Sequence, residues 1–173
     1  MRDFHPDDDL VSPEGYTPQE TPGDFDPGIP NQLLDFILRS GPTEVVDTDL
    51  FAVMKKRRST RKFSDKPVET VKIDKIIAAA DTAPTAGNFQ GFEIFYIKSP
   101  DKKRLLVDAC NYQSYVDAPV VLVFCKNPSR VKFNFPPYIL RKFAIQDATL
   151  AAGYSQLAAQ ALGLSSIWIG MFD

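Results

Sequence analysis

The run Tyr138–Leu162, YILRKFAIQDATLAAGYSQLAAQAL, then Gly163, then Leu164–Ile169, LSSIWI, decides the fold. Leu140, Phe143, Ala144, Asp147, Ala151, Tyr154, Ala158 and Ala161 fall on one face at helical spacing, which predicts one long helix. Gly163 is its stop, because glycine enters the left-handed conformation that ends helices. The helix is rich in small residues: Ala144, Ala148, Ala151, Ala152, Gly153, Ala158, Ala159 and Ala161. Small side chains let backbones approach closely, so the helix belongs at the centre of the domain or on a dimer axis. Leu164–Ile169 is β-branched and aromatic and reads as a strand.

Upstream, the same periods recur. Leu50, Phe51, Val53 and Met54 give a short helical face that runs into Lys55-Lys56-Arg57-Arg58. Val71, Ile73, Ile76, Ile77, Ala80 and Ala83 repeat at helical spacing up to Pro84. Phe92–Lys98 reads as a strand, Pro100–Ala109 as a helix and Pro119–Cys125 as a second strand. Residues 126–137 form a loop closed by Pro136-Pro137. Helices and strands thus alternate, which predicts a three-layer α/β arrangement with a mixed or antiparallel sheet.

The chain has 173 residues, enough for one domain, and 44% are hydrophobic. That domain is expected over 47–173. Half of the 14 prolines lie in residues 1–50, and residues 1–30 lack any sustained period, so they read as a disordered acidic arm. Asn31 can cap a short helix over Gln32–Arg39, part of a linker over 31–46. The net charge of −2 conceals an asymmetry. Residues 1–50 hold 12 acidic side chains against two arginines, and the remainder holds 18 basic against 10 acidic. An acidic arm on a basic body is either a solvated tail or a screen for a basic site. No stretch approaches the roughly 18–20 apolar residues of a membrane span. The N-terminus lacks the basic start and apolar run of a signal peptide. Cys110 and Cys125 are expected as buried free thiols. These features predict a soluble, cytoplasmic protein.

Three clusters could carry chemistry. In Arg57-Arg58-Ser59-Thr60-Arg61-Lys62-Phe63, guanidinium forks flanking a hydroxyl suit a phosphate. The same run could equally be a solvated face, a nucleic-acid contact or a phosphorylation consensus around Ser59. Ala83–Phe92, APTAGNFQGF, sets two amides at alternate positions beside a glycine. Asn88 and Gln90 each offer a donor and an acceptor, fit for the edge of a heterocycle, or for satisfying loose backbone groups in a turn. Ser165–Phe172, SSIWIGMF, places a glycine after an apolar strand, where backbone N–H groups can meet a flat ligand, or simply completes a core strand.

Taken together, these segments closely resemble the nitroreductase family of flavoproteins over residues 47–173. That family shows R-R-S-x-R-x-F after the first domain helix, then A-P-S-A-G-N-x-Q-P-W-x-F. A helix like D-A-x-x-A-x-x-x-L-A-A-x-A-L-G-L follows, leading into x-x-W-I-G-x-F. Arg57–Phe63, Ala83–Phe92, Asp147–Leu164 and Trp168–Phe172 match them in order.

The resemblance implies an α+β, three-layer α/β/α fold with a central, mainly antiparallel sheet flanked by helices. It implies FMN held in the cleft of a homodimer, with NADH or NADPH as co-substrate. A hydride would pass through flavin N5 to a small oxidant, such as a nitroaromatic or a quinone, in a ping-pong cycle. Arg57 and Ser59 would contact the phosphate or ribityl chain, with Arg58 on the phosphate or in solvent. Arg61 would lie at the N1–O2 edge of the ring. Pro84, Thr85, Ala86 and Asn88, with Gln90 beside them, would come from the other subunit's copy. Gly170 and Met171 would set backbone N–H groups near N5 and O4. The cofactor carries the chemistry, so no catalytic side chain, no metal, no nucleic acid and no membrane are expected. The only histidine, His5, lies in the arm.

The alternatives are a flavin-binding or interaction protein without turnover, and a specialised relative that fragments flavin or dehalogenates. In the latter, Phe133, Phe135 and Tyr138 could wall a substrate, or simply pack. Three departures stand out. Gly91-Phe92 replaces Pro-Trp and is expected to loosen the turn. Thr85 replaces a common Ser and keeps the hydroxyl. The chain ends at Asp173, where relatives continue, so a C-terminal part is expected to be missing.

Overall fold

A computed structural model describes residues 49–172. The expected arm, the short helix after Asn31 and the linker lie outside the described residues. Six regular elements follow in chain order. They are α1 (Leu50–Lys56), α2 (Thr70–Asp81), β1 (Phe92–Tyr96), α3 (Pro100–Ala109), β2 (Leu122–Lys126) and α4 (Pro137–Ala161). Short 3-10 turns stand at Ala86–Asn88, Ser114–Val116 and Pro128–Arg130.

The helix ends follow side-chain chemistry. Asp49 caps α1, its carboxylate accepting from Phe51 N at 3.0 Å. Ser99 caps α3, with Pro100 in the first turn, where its missing N–H costs nothing. At the end of α4, Gly163 turns left-handed at φ +74°. Its N–H then reaches Gln160 O at 3.1 Å, and Leu164 N reaches Ala159 O at 2.9 Å. This paired closure satisfies two carbonyls that the helix leaves open.

β1 and β2 pair antiparallel, Phe92 opposite Lys126 and Tyr96 opposite Leu122. Ile97 N to Val121 O (3.0 Å) and Asn127 N to Gly91 O (2.7 Å) carry the ladder one step past each end. Along β1, Phe92 and Ile94 face inward while Glu93 and Phe95 face out. The inner face meets α2 and α4 in a core of Ala80, Ala83, Phe92 and Ala151, with Ile94, Phe124 and Ala148 against it. Ala80 and Ala151 are fully buried. Burial of a phenylalanine such as Phe92 stabilises by roughly 2–3 kcal/mol. A second cluster, Ile76, Ala159 and Leu162, packs with Leu122 and Leu164.

The chain is α+β, and α4 lies at its centre, against α1, α2 and both strands. Two expectations are corrected. Leu164–Ile169 is not a strand, because a strand needs a neighbour along its length. This segment finds one only at Ser166, in an isolated parallel bridge to Ser59. Tyr154 does not share the inner stripe of α4, which runs through Asp147, Ala151, Ser155 and Ala159 at strict four-residue steps. Tyr154 lies three residues after Ala151 and is exposed. Among the described residues no helix is long and apolar enough to cross a membrane. Both cysteines are free; Cys110 is buried, which pushes its thiol pKa up, and Cys125 is half-buried.

Candidate functional site

The basic segment begins where α1 ends. Arg57 is the C-terminal cap residue of α1, and its N–H donates to Val53 O at 2.9 Å. Arg58 turns back on the helix. Its guanidinium donates to Lys55 O at 2.6 Å and to Arg57 O at 2.9 Å, a cation on the carbonyls of a helix C-terminus. Arg58 thereby caps the helix while remaining exposed, in keeping with the solvent-facing reading given to it from sequence. Among the described residues the side chains of Arg57, Ser59 and Arg61 have no hydrogen-bond or ion-pair partner. Ser59 and Arg61 are exposed and Arg57 is half-buried.

The backbone of this segment meets the third cluster. Ser59 bridges Ser166 in parallel, with Thr60 N donating to Ser166 O at 3.1 Å. From there the chain runs through Trp168 to Gly170 and Met171, both exposed. Gln113 steadies its end, its amide donating to Met171 O at 3.2 Å and to Cys110 O at 2.6 Å. Sequence reading had given Gln113 no role.

The second cluster is built differently. Pro84 and Asn88 are exposed, and the loop runs through left-handed backbone at Gly87 (φ +57°), Asn88 (+56°) and Gln90 (+45°). The Thr85 hydroxyl accepts from Gln90 N at 3.2 Å. The Gln90 amide donates to Asn88 Oδ1 at 2.8 Å, so the two amides lie side by side. Beneath them is Asp147, which sequence reading placed on the apolar stripe of α4 without a function. It is 2% exposed, accepting from Ala86 N through Oδ1 and from Gly91 N through Oδ2, each at 3.0 Å. A carboxylate in an apolar stripe was the available signal, since a buried charge must be paired.

Gly91 does not loosen the turn, contrary to expectation. Its N–H is held by Asp147 and its carbonyl accepts from Asn127 N. A Cβ there would come within 2.8 Å of both Asp147 Oδ2 and Val131 Cγ2. Phe89 packs edge-on against Phe133, and Phe133, Phe135 and Phe143 form one aromatic cluster. Phe133 and Phe135 are thus half-buried and packed on other rings, while Tyr138 is 60% exposed.

One chain thus joins the first and third clusters but not the second. No hydrogen bond or backbone bridge among the described residues links 84–91 to 57–61 or to 165–171. Cationic forks, a hydroxyl and free backbone beside a glycine form a donor set that fits a ligand bearing a phosphate and a flat ring. Among the described residues no group of histidine, cysteine and acidic side chains could hold a metal ion.

An antiparallel sheet packed against small-residue helices makes this an α+β protein, and the comparisons give its family. The nitroreductase family model matches residues 54–114 and 108–173. The chain belongs to the nitroreductase family. It is 34% identical over 126 residues to a Thermus thermophilus NADH dehydrogenase, covering 66% of this chain and 62% of that protein. With a Bacillus subtilis FMN reductase (NAD(P)H) it shares 30% over 125 residues, 65% of this chain and 50% of the relative. The solved NADPH:FMN oxidoreductase of Vibrio harveyi, in complex with NAD+, superposes with a TM-score of 0.65 at 26% identity. That match covers 70% of this chain and 55% of the other. The chain spans between half and two thirds of the length of these relatives.

Proposed function

We propose that this chain is the core of a dimeric, FMN-dependent oxidoreductase that takes hydride from NADH or NADPH and passes it to a small oxidant. The observation that carries the reading is the Ser59–Ser166 bridge. It joins the segment that carries the unpartnered Arg57, Ser59 and Arg61 side chains to the segment that leads on to Gly170 and Met171. When bound, FMN supplies hydride acceptance and onward transfer, so the two half-reactions share one site in turn.

The residues of the chain bind and orient. Arg57 and Ser59 hold the phosphate and the adjoining chain, with a guanidinium fork for its oxygens. Arg61 places a fixed positive charge at the pyrimidine edge of the ring, favouring the form of the ring that carries negative charge there. Gly170 and Met171 offer backbone N–H groups to the edge that takes the hydride. The Asn88 and Gln90 amides, with Pro84, Thr85 and Ala86, arrive from a second copy of the chain. Exposed apolar side chains on α1 (Leu50, Phe51, Met54) and α4 (Tyr138, Ile145, Leu150) supply surface for that second copy. A nitroaromatic or a quinone, flat and electron-poor, suits the face of such a ring, and the supply of reduced nicotinamide places the reaction in the cytoplasm.

The test is the visible spectrum of the purified chain with added FMN, followed anaerobically by NADPH and then NADH. A retained flavin spectrum that bleaches with either nucleotide supports the proposal. Retained flavin without bleaching selects a flavin-binding protein without turnover. No retained flavin in excess FMN overturns both.

A further inference from the structure

We propose that Asp147 is the positioning residue of the Thr85–Gly91 loop. Its buried carboxylate holds the left-handed conformation that pairs the Asn88 and Gln90 amides and presents them to a flavin ring. The inference rests on the flavin reading above and adds to it a residue from the middle of α4.

Two features of the loop call for an outside anchor. Asn88 and Gln90 both sit at positive φ without being glycine, at +56° and +45°. Asparagine tolerates this region through its short polar side chain, but glutamine does not, and at Gln90 the conformation persists only where its surroundings over-determine it. The bonds internal to the loop, Thr85 Oγ1 to Gln90 N and Asn88 to Gln90, tie the loop to itself and not to the core. Asn127 N holds the Gly91 carbonyl and Phe89 packs on Phe133, but among the described residues only Asp147 reaches both ends of the loop. One oxygen takes Ala86 N at the entry of the loop and the other takes Gly91 N at its exit, both at 3.0 Å. The two ends of the loop are therefore fixed by one side chain that is itself locked in the core.

The choice of aspartate follows. Two converging N–H donors require two acceptor oxygens, which asparagine lacks; its amide nitrogen would face one of the donors. The choice of glycine at 91 follows as well. Its N–H is needed, and a Cβ would lie 2.8 Å from Asp147 Oδ2 and 3.2 Å from the Ala144 backbone. Gly91 and Asp147 thus form one device, and the proline that stands here in the family pattern would remove its second donor.

Asp147→Asn keeps the shape and removes one acceptor, so it isolates the positioning role. In the full chain we expect it to melt cooperatively and to speed amide exchange at Ala86 and Gly91. FMN binding, read by fluorescence quenching, should weaken by about tenfold, the order expected for one lost charge-assisted hydrogen bond. Asn88→Ala should weaken binding in the parent but add nothing in the Asp147→Asn background, because the amide is already out of place. Ile76→Val, a core substitution remote from the loop, should lower the melting temperature without changing FMN affinity. Unchanged FMN affinity in Asp147→Asn, or losses that multiply with Asn88→Ala, would overturn the proposal. If the parent takes up no FMN, the flavin reading falls, and exchange at Ala86 and Gly91 decides the positioning role alone. Unchanged exchange there sinks it. Should Asp147→Asn fail to melt cooperatively, Asp147→Ser carries the same measurements.

Discussion

Asp81 closes α2 as a carboxylate at the negative end of a helix dipole, and it is half-buried. Burial raises its pKa above the ordinary carboxylate value, while the charge of Arg130 pulls it partly back. A raised folded-state pKa means that the fold disfavours the charged form. The contribution of Asp81 to stability is fully present below the unfolded pKa and is lost as pH rises through the folded one. At neutral pH the ionised group is therefore a liability, and Asp81→Asn should stabilise the chain by about 0.3–1 kcal/mol, the scale of a misplaced charge at a helix end. Urea titrations of parent and variant should show this gap near pH 7 and its narrowing as pH falls through the folded pKa, with closure about a unit below the unfolded value near 4, where the parent carboxyl is neutral in both states. A variant less stable than the parent at neutral pH would mean that attraction to Arg130 outweighs burial.

At the scale of elements, two glycines ten residues apart make opposite forecasts. Gly153 lies inside α4, and a Cβ built on it meets nothing within 4 Å in the described chain. Gly153→Ala should stabilise by about 0.5–1 kcal/mol through the lower entropy of the unfolded chain. Gly163 holds φ +74° in the closure of α4, and Gly163→Ala should destabilise by about 1–2 kcal/mol, with Gly163→Asn losing less. Thermal melts of the three variants in dilute solution check both signs.

These elements also show which parts of the fold are legible in sequence. Helices were, because a 3.6-residue period and a stop such as Gly163 are written within a few residues of one another. Strand ends were less so. Pro119–Cys125 became Leu122–Lys126, since the partner strand, not the residue types, sets where pairing begins. Leu164–Ile169 has strand composition but only one paired position. The three clusters were visible as motifs, whereas the tie from Asp147 spans 61 and 56 residues, beyond any periodicity.

The whole molecule raises the question of where the second cluster meets the other two. The 85–91 loop is tied to Asp147, while the 164–171 segment leaves α4 at Ala159–Leu164. Twelve helical residues separate Asp147 from Ala159, about 18 Å along the axis. The two clusters thus meet α4 at different points within one chain, and a two-fold partner is one way to unite them, since a symmetric contact presents each loop to the other copy. The arrangement can be tested without knowing the oxidant. Arg61→Ala and Asn88→Ala each spoil a different half of the site, so each variant alone should bind FMN poorly. Unfolded together and refolded as an equal mixture, half of the dimers pair one chain of each kind. Every mixed dimer then has one site with both residues intact and one with neither. About a quarter of all sites should recover parental FMN affinity, the share set by random pairing in a two-fold dimer. If both residues served a site within one chain, no mixture could restore it, and titration with FMN would show only the weak binding of the two variants.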